Sequence, residues 1–339
     1  MKIKLNRKRI RALIVILITL AVFSTVFHFI RSWDRSRYQI NLPDSTDLYE
    51  DEDSALTYLN GKWYARRENI ETVLLIGLDK FEDAVPDYSG YVNNQQSDFL
   101  LLLLIDHENE TYTSLHINRD SMAEIQRIGV DGKPVDTITA QLALAHTYGS
   151  GKEGSCENTV SAVSGYLYGA EIDHYISLTM DAVADVNDMV GGVTVTVLDD
   201  FTPVDESLVK DTSVTLTGSQ ALTYVRARGG LADSSNVRRM ERQRQYLHAL
   251  HQQVKTKMAE SESFLLDAIL DISPYLVSDC TVYQLSDIGN TLMVYDGGGI
   301  RTIPGEAVKG EKYMEFYADE DALRDLVLEL FYTEAENAA

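Results

Sequence analysis

Cysteine is almost missing from this chain: Cys156 and Cys280 are the two that occur in 339 residues. They form no CxxC pair and no zinc-finger spacing. Two readings stand for them. One is a disulfide, if both lie outside the cell. The other is a pair of buried thiols, since free cysteine packs as a small hydrophobe. Their distance in sequence does not establish geometry. Positive charge is also scarce, with 30 Lys and Arg against 52 Asp and Glu and a net charge of -22. A phosphate-backbone-binding surface needs a cationic field, so nucleic acid is excluded as a partner. There is no Walker A loop and no GxSxG nucleophile elbow. Gly149, Gly151 and Gly154 do spell GxGxxG. They follow a helical stretch rather than a strand, so the dinucleotide context fails and a turn between helices is expected. His107, His116, His146 and His174 show no ligand spacing and read as surface or core histidines. No internal repeat is present.

What remains is a globular composition, 45% hydrophobic and 24% charged, sufficient for a core. The first thirty residues differ from the rest. Lys2, Lys4, Arg7, Lys8, Arg9 and Arg11 precede an uncharged apolar run from Ala12 to Ile30. At about 1.5 Å per residue that run spans roughly 28 Å, close to a bilayer core. The basic cluster comes first, so the N-terminus is expected in the cytoplasm and the bulk of the chain outside it. The run is long for a signal peptide and lacks a small-x-small cleavage site, which favours an uncleaved anchor. Residues 31–70 read as an extracytoplasmic stalk. Pro43 leads into Asp44, Asp47, Glu50, Asp51, Glu52 and Asp53, a self-repelling spacer. The resulting expectation is a cytoplasmic tail at 1–11, a transmembrane helix at 12–30, a stalk at 31–70 and one folded domain at 71–335 of a single-pass plasma-membrane protein.

The domain reads as an α/β fold, a single α-β-α sandwich with a mixed central sheet. Thr72–Ile76 is a short apolar strand. Phe99–Asp106 is a nearly continuous leucine run, as in a strand covered on both faces. Thr111–Asn118 alternates and returns the chain as a hairpin. His174–Leu178, Asp181–Val190 and Val193–Leu198 are expected to form a β-α-β unit, with Gly191-Gly192 closing the helix. Further helices fit 139–148, 157–168 and 236–258. Residues 263–335, with a strand near Ile300–Ile303, lack a linker and belong to the same domain.

Two constellations carry chemistry. Arg226, Arg228, Arg238, Arg239, Arg242 and Arg244 crowd into nineteen residues of an acidic chain. Arg226-x-Arg228 precedes a helix expected to start near Asn236 as N-cap, and Arg239 and Gln243 share one face of it. Guanidinium forks and a helix N-terminus suit a phosphate. The plain alternative is a solvated cationic face. The second constellation lies at strand ends: Asp79 after the first strand, Asp98 before the leucine-rich strand, and Arg119-Asp120 after its partner. The hairpin brings Asp98 and Arg119 to one sheet edge. Carboxylates beside an arginine there suit Mg²⁺ with a phosphate, or simple caps and surface ion pairs. The 19 tyrosines serve packing or sugar stacking.

Seven ordered stretches carry a resemblance: LLIGLD (74–79), QSDFLLLLLID (96–106), LHINRD (115–120), ITAQLALAHTYG (138–149), IDHYISLTMDAVADVNDMVGGVTVTV (172–197), LTGSQALTYVRAR (216–228) and RRMERQRQYLHAL (238–250). In order and spacing the chain resembles the LytR-CpsA-Psr family of Gram-positive envelope proteins over about residues 70–310. The resemblance implies a phosphotransferase. It would attach teichoic-acid-type or capsule-type glycopolymers, carried on a polyprenyl pyrophosphate, to peptidoglycan beside the lipid bilayer. It also implies Mg²⁺ and an apolar tunnel for the polyprenyl chain, lined in part by the leucine-rich strand. Carried over by position, Asp79 and Asp98 look like metal ligands. Arg119, Arg226, Arg228, Arg239 and Gln243 look like a pyrophosphate clamp, and Asp98, Asp79 and Arg119 like the catalytic group. The chain departs from the family pattern at Gln96 (usually Arg), Thr137 (Lys) and Asn236 (Asp, unless Asp233 substitutes). These departures keep two alternatives open: a non-catalytic polyprenyl-phosphate or wall-polymer binding protein, and a polyprenyl-pyrophosphate hydrolase.

Overall fold

The computed structural model describes residues 56–335 except 60, 82–84, 87–90 and 93–94. The basic tail, the apolar anchor and the acidic run of the stalk lie outside the described residues. Among the described residues no helix is long and apolar enough to cross a membrane.

In chain order the first half runs β1 (Leu56–Leu59), β2 (Lys62–Arg66), β3 (Ile70–Leu78), β4 (Val85–Pro86), β5 (Tyr91–Val92), β6 (Ser97–Asp106), β7 (Thr111–Ile117), β8 (Met122–Ile128), β9 (Pro134–Gln141) and α1 (Lys152–Tyr166). It continues through β10 (His174–Thr179), α2 (Asp181–Met189), β11 (Val193–Thr196), β12 (Ser213–Leu216), α3 (Gly218–Arg226), α4 (Asn236–Glu260), α5 (Phe264–Ile272), β13 (Leu276–Ser278) and α6 (Val282–Val294). β14 (Asp296–Thr302), β15 (Gly305–Lys309), β16 (Met314–Ala318), α7 (Glu320–Phe331) and β17 (Tyr332–Ala335) complete the described chain.

The leucine run decides the architecture. Leu100 to Ile105 are each no more than 5% exposed, so β6 is covered on both faces. Burying each such side chain contributes about 1.5–3 kcal/mol. β6 lies inside a six-stranded sheet of order β13-β10-β3-β6-β7-β14. The sheet is mixed, as expected. β3 runs parallel to β10 and antiparallel to β6, and β7 runs parallel to β14. On one face Val73, Leu101, Leu103 and Ile105 pack with Ile288 of α6 and Leu247 of α4. β13 and β14 come from the last quarter of the chain, which places that segment in the same domain.

Several expectations need correction. The stalk expected to reach residue 70 ends sooner, because β1 and β2 pair with each other and β2 pairs with C-terminal β17. The helix expected at 139–148 is a strand to Gln141 followed by a single 3-10 turn at Leu142–Leu144. β11 does not rejoin the main sheet to complete a β-α-β unit. It pairs antiparallel with β12 as a separate ribbon. Val193, Val195 and Val197 bury against Phe201, Tyr224 and Tyr246 instead. The Gly191-Gly192 closure of α2 stands, with both residues at positive φ. The N-cap of α4 is Ser235, whose side chain accepts from the Arg238 N–H, which leaves Asn236 free for another role.

Both cysteines are free thiols. Cys156 on α1 lies beside Ser177, whereas Cys280 packs with Ile176. Adjacent strand residues point to opposite faces, so β10 separates the two sulfurs. Burial pushes the Cys156 thiol up to about 12 and leaves it inert.

Arg242 is fully buried. It donates to Asp199 (2.7 Å), to the Tyr224 carbonyl (3.0 Å) and to the Ala227 carbonyl, and its guanidinium lies 5.3 Å from the Phe201 ring centre. It thereby fixes the end of α3, where Arg226 and Arg228 emerge. Arg242→Ala is expected to lower the unfolding free energy by about 1–3 kcal/mol, because two carbonyls lose their donor and Asp199 keeps Arg238 alone. Urea denaturation of the variant measures the loss.

Candidate active site

β3 and β6 meet in register until the mouth of the sheet, where the pairing slips. Gly77 faces Phe99 and Leu78 faces Ser97, so Asp98 is the extra residue of a bulge. A bulge re-aims the side chain it frees. Gly77 makes this possible, since a Cβ there would stand 2.8 Å from the Phe99 Cβ. Asp98 thus leaves the ladder at the same edge where β3 ends in Asp79 and where β7 leads into Arg119.

Asp98 Oδ1 accepts from two guanidiniums, Arg119 and Arg239, the latter at 3.3 Å. Arg239 also donates to the Asp98 carbonyl (3.1 Å) and to Asn236 Oδ1 (2.7 Å). Asn236 in turn donates to Asn118 Oδ1 (2.6 Å), which also accepts the Asp120 N–H (3.0 Å). Arg119 reaches Gln96 Oε1 as well, and its Nε lies 3.5 Å from Asp120. Both guanidiniums are buried. Burial lowers them, Arg239 to about 9 and Arg119 to about 10, and the charge of Arg228 acts on both in the same direction. All three remain cations at neutral pH. Burial pushes the Asp120 carboxyl up, opposed by Arg119, Arg228 and Arg239.

Two chambers adjoin this cluster. The polar one, about 410 Å³, is lined by Gln96, Arg119, Asp120, Arg228, Tyr148 and Tyr313, among others. Its roof is the β15–β16 hairpin, held where Phe316 N–H donates to the Asp120 carbonyl (2.8 Å) and Gln141 donates to the Met314 carbonyl (2.6 Å). The other chamber, about 200 Å³, is almost wholly apolar. Leu75, Phe99, Leu178, Val183, Leu247 and Leu250 are among its walls. Of the leucine-rich strand only Phe99 reaches it, so the expected contribution of that strand to an apolar slot narrows to one residue. Leu101 and Leu103 pack against α6 instead.

α4 connects the chambers. Arg239, Gln243, Leu247 and Leu250 follow one another at helical spacing from the cluster into the apolar slot. Gln243 Nε2 donates to the Val225 carbonyl (3.1 Å), while its Oε1 is buried without a hydrogen bond.

The expected site residues are therefore gathered, with distinctions. Arg119, Arg228 and Arg239 surround Asp98 and Asp120. Arg226 stands at the rim, about half exposed, paired with Asp79 at 2.5 Å. Arg238 and Arg242 belong elsewhere, since both bind Asp199. Thr137 is exposed on β9 and lines neither chamber. Gly149 and Gly151 lie in the turn before α1 and Gly154 in its first turn, a tight entry because a Cβ on Gly149 would stand 2.3 Å from the Ser155 backbone. Asn118, Tyr148 and Tyr313 were not legible as site residues, since nothing in their spacing marks them.

A family model for the LytR_cpsA_psr family matches residues 41–327. A polyisoprenyl-teichoic acid–peptidoglycan teichoic acid transferase, TagU of Halalkalibacterium halodurans, is 29% identical over 200 residues; the match spans 58% of this chain and 58% of that protein. TagU of Bacillus licheniformis, which carries the same description, is 26% identical over 327 residues, 96% of each chain. The crystal structure of B. subtilis TagT superposes with a TM-score of 0.55 at 21% identity, covering 78% of this chain and 90% of that one. That likeness shows the shared fold, with its mixed central sheet.

Two outcomes follow from this geometry. Gly77→Ala should cost about 1–3 kcal/mol by overpacking the bulge, read as a lower midpoint in urea. His116, its ring tilted against Phe99 with centroids 4.9 Å apart, is pushed down to about 3 by burial and by Arg244 and Arg239. The folded form therefore refuses a proton that the unfolded chain takes up near 6.5. Stability is full above about 6.5, falls as the pH drops toward 3, and His116→Gln should flatten that slope in a series of thermal melts across pH.

Proposed function

The chain belongs to the LytR-CpsA-Psr family, and on that premise we propose that it transfers a teichoic-acid-type glycopolymer from a polyprenyl pyrophosphate to peptidoglycan. The observation that carries this reading is the path along α4. A buried cluster of guanidiniums at Asp98 stands one helical turn from Gln243 and one residue from Phe99, both walls of an apolar slot. A lipid-linked pyrophosphate has the matching order, a doubly charged head followed by a hydrocarbon tail.

Around the head, Arg119, Arg228 and Arg239 set three positive charges against the two carboxylates of Asp98 and Asp120, an excess of one. An anion relieves the mutual repulsion and the burial cost that lower Arg119 and Arg239. Arg226 would swing from Asp79 to the rim-side phosphate. Gln243 holds the first part of the lipid at the chamber boundary. Asp79 and Asp98 are hard oxygen donors at adjoining strand ends, a set that fits Mg²⁺. When bound, Mg²⁺ would supply further neutralisation of the pyrophosphate oxygens.

The wall-sugar hydroxyl enters the polar chamber, where Tyr148 and Tyr313 offer faces for a saccharide. Its oxygen attacks the polymer-proximal phosphorus. The bond from that phosphorus to the bridging oxygen breaks, and polyprenyl phosphate departs with both electrons. The hydroxyl proton needs an acceptor. Asp98 is held between two guanidiniums and mainly positions them. Asp120, raised by burial, is the better base and lies against the same chamber. The remaining barrier lowering comes from placement and charge neutralisation. The basic tail, anchor and acidic stalk would hold the domain at the outer face of the plasma membrane, within reach of the lipid donor.

The full chain in detergent, mixed with lipid-linked polymer, Mg²⁺ and peptidoglycan, is expected to give polymer-bearing peptidoglycan. Arg119→Ala or Arg239→Ala should weaken donor binding about 10–100-fold, the loss of one charged hydrogen-bonding group. Asp120→Asn should keep donor binding and lose transfer. Release of free polymer instead of transfer selects a hydrolase. Donor binding with no product selects a non-catalytic binding protein.

A further inference from the structure

Away from the mouth, at the opposite end of β10, three side chains of unlike chemistry converge. His174 opens β10, and Asp279 and Cys280 follow β13. His174 Nδ1, a carboxylate oxygen of Asp279 and the Cys280 sulfur all lie within 4.8 Å of one another. Nδ1 is 3.3 Å from Oδ2, and the sulfur is 3.8 Å from the other carboxylate oxygen, Oδ1, so a turn of the carboxylate would bring one oxygen to both partners. Zinc bonds of about 2.0–2.3 Å in a tetrahedron put neighbouring ligand atoms about 3.3–3.8 Å apart. We propose that His174, Asp279 and Cys280 form a Zn²⁺ site, separate from the transferase centre.

The position is built rather than incidental. Ser278 Oγ donates to the Tyr175 carbonyl (2.6 Å) and accepts the Cys280 N–H (3.0 Å). Asp279 Oδ1 accepts the Tyr175 N–H (2.9 Å). Directly after Cys280, Thr281 caps α6 through a reciprocal box with Gln284. The chain bearing two of the ligands is thus tied to β10 on one side and to a helix start on the other, and β10 itself carries the third. Bracing of this kind holds ligands at metal-binding separations without further ordering. His174 and Ile176 share a face of β10, the face on which Cys280 packs.

The donor set selects the ion. One sulfur, one imidazole and one carboxylate suit a borderline-soft cation, not Mg²⁺ or Ca²⁺. His174 and Asp279 keep 25% and 36% of their side chains exposed, so an ion reaches them from solvent and keeps a fourth position for water. The site lies roughly 17 Å along the strand from the end that leads to Asp79. It clips the three-residue edge strand β13 to β10, so its consequence is stability of the sheet edge.

The test uses the full chain without an affinity tag, in detergent, stripped with a chelator and titrated with Zn²⁺ alone. One equivalent should bind and raise the melting temperature. Cys280→Ser and His174→Asn should each weaken uptake by at least about 100-fold, more than loss of an outer-shell group does. Co²⁺ in place of Zn²⁺ should give a thiolate charge-transfer band that Cys280→Ser abolishes. A stripped chain that takes up no Zn²⁺, or variants that bind it as tightly as the parent, would overturn the site and leave an imidazole–carboxylate pair. So would a Co²⁺ complex without the thiolate band.

Discussion

One carboxylate shared by two buried guanidiniums organises the active end of this molecule. Arg119 and Arg239 come from sequence positions 120 residues apart and repel each other across a dry interior. Asp98 between them turns that repulsion into a cluster. A buried cation without a partner is costly, so the place where Asp98 sits decides where both arginines sit. That place is set by a backbone event, the single-residue slip of β6 against β3 at Gly77. A register without the slip would send the side chain toward a sheet face and leave the arginines unmatched.

The second constraint is the period of α4. Six arginines in nineteen residues suggest one cationic patch, and the helix divides them. Arg239 and Gln243 turn toward Asp98 and the apolar slot, while Arg238 and Arg242 turn toward Asp199. The inward pair continues into Leu247 and Leu250, so the same face passes from charge to hydrocarbon. Of the other pair, Arg242 anchors the carbonyls at the end of α3, from which Arg226 and Arg228 project, and Arg238 holds the Leu198 carbonyl. One face of the helix lines the cluster and the slot, and the other holds the end of α3 in place.

This division explains which features were legible in the sequence. The continuous leucine run gave β6 and the mixed sheet, because a strand without polar alternation has to be covered twice. Asp98, Arg119 and Arg239 were legible because hairpin geometry and helical spacing are local rules. Arg242 was not separable from Arg239 by composition, since its partner Asp199 lies 43 residues away in a ribbon that sequence placed in the main sheet. The folded start at β1–β2 was overlooked beside the acidic run, although Asn60-Gly61 between alternating residues is a strong hairpin signal. The convergence of His174 with Asp279 and Cys280 crosses 105 residues, beyond any motif spacing. Tyr313 likewise reaches the mouth only because β16 docks beside Asp120.

The departures from the family pattern take on a physical meaning at these positions. Against the pattern that the resemblance implies, Gln96 would remove one positive charge from the mouth and Asn236 one negative charge. The two changes cancel, so the excess of guanidinium over carboxylate is kept. They also fit each other in geometry. Gln96 offers Arg119 a neutral acceptor, and Asn236 offers the same to Arg239. A neutral acceptor orients a guanidinium without neutralising it, which leaves more of its charge for an incoming phosphate. Asn236 adds a donor that an aspartate would lack, and through it Arg239 is tied to Asn118 and the Asp120 backbone. Thr137 stands on exposed β9, away from both chambers, so the lysine exchanged there takes no charge from the cluster. The altered positions thus preserve a cationic, pre-oriented mouth by a different set of contacts.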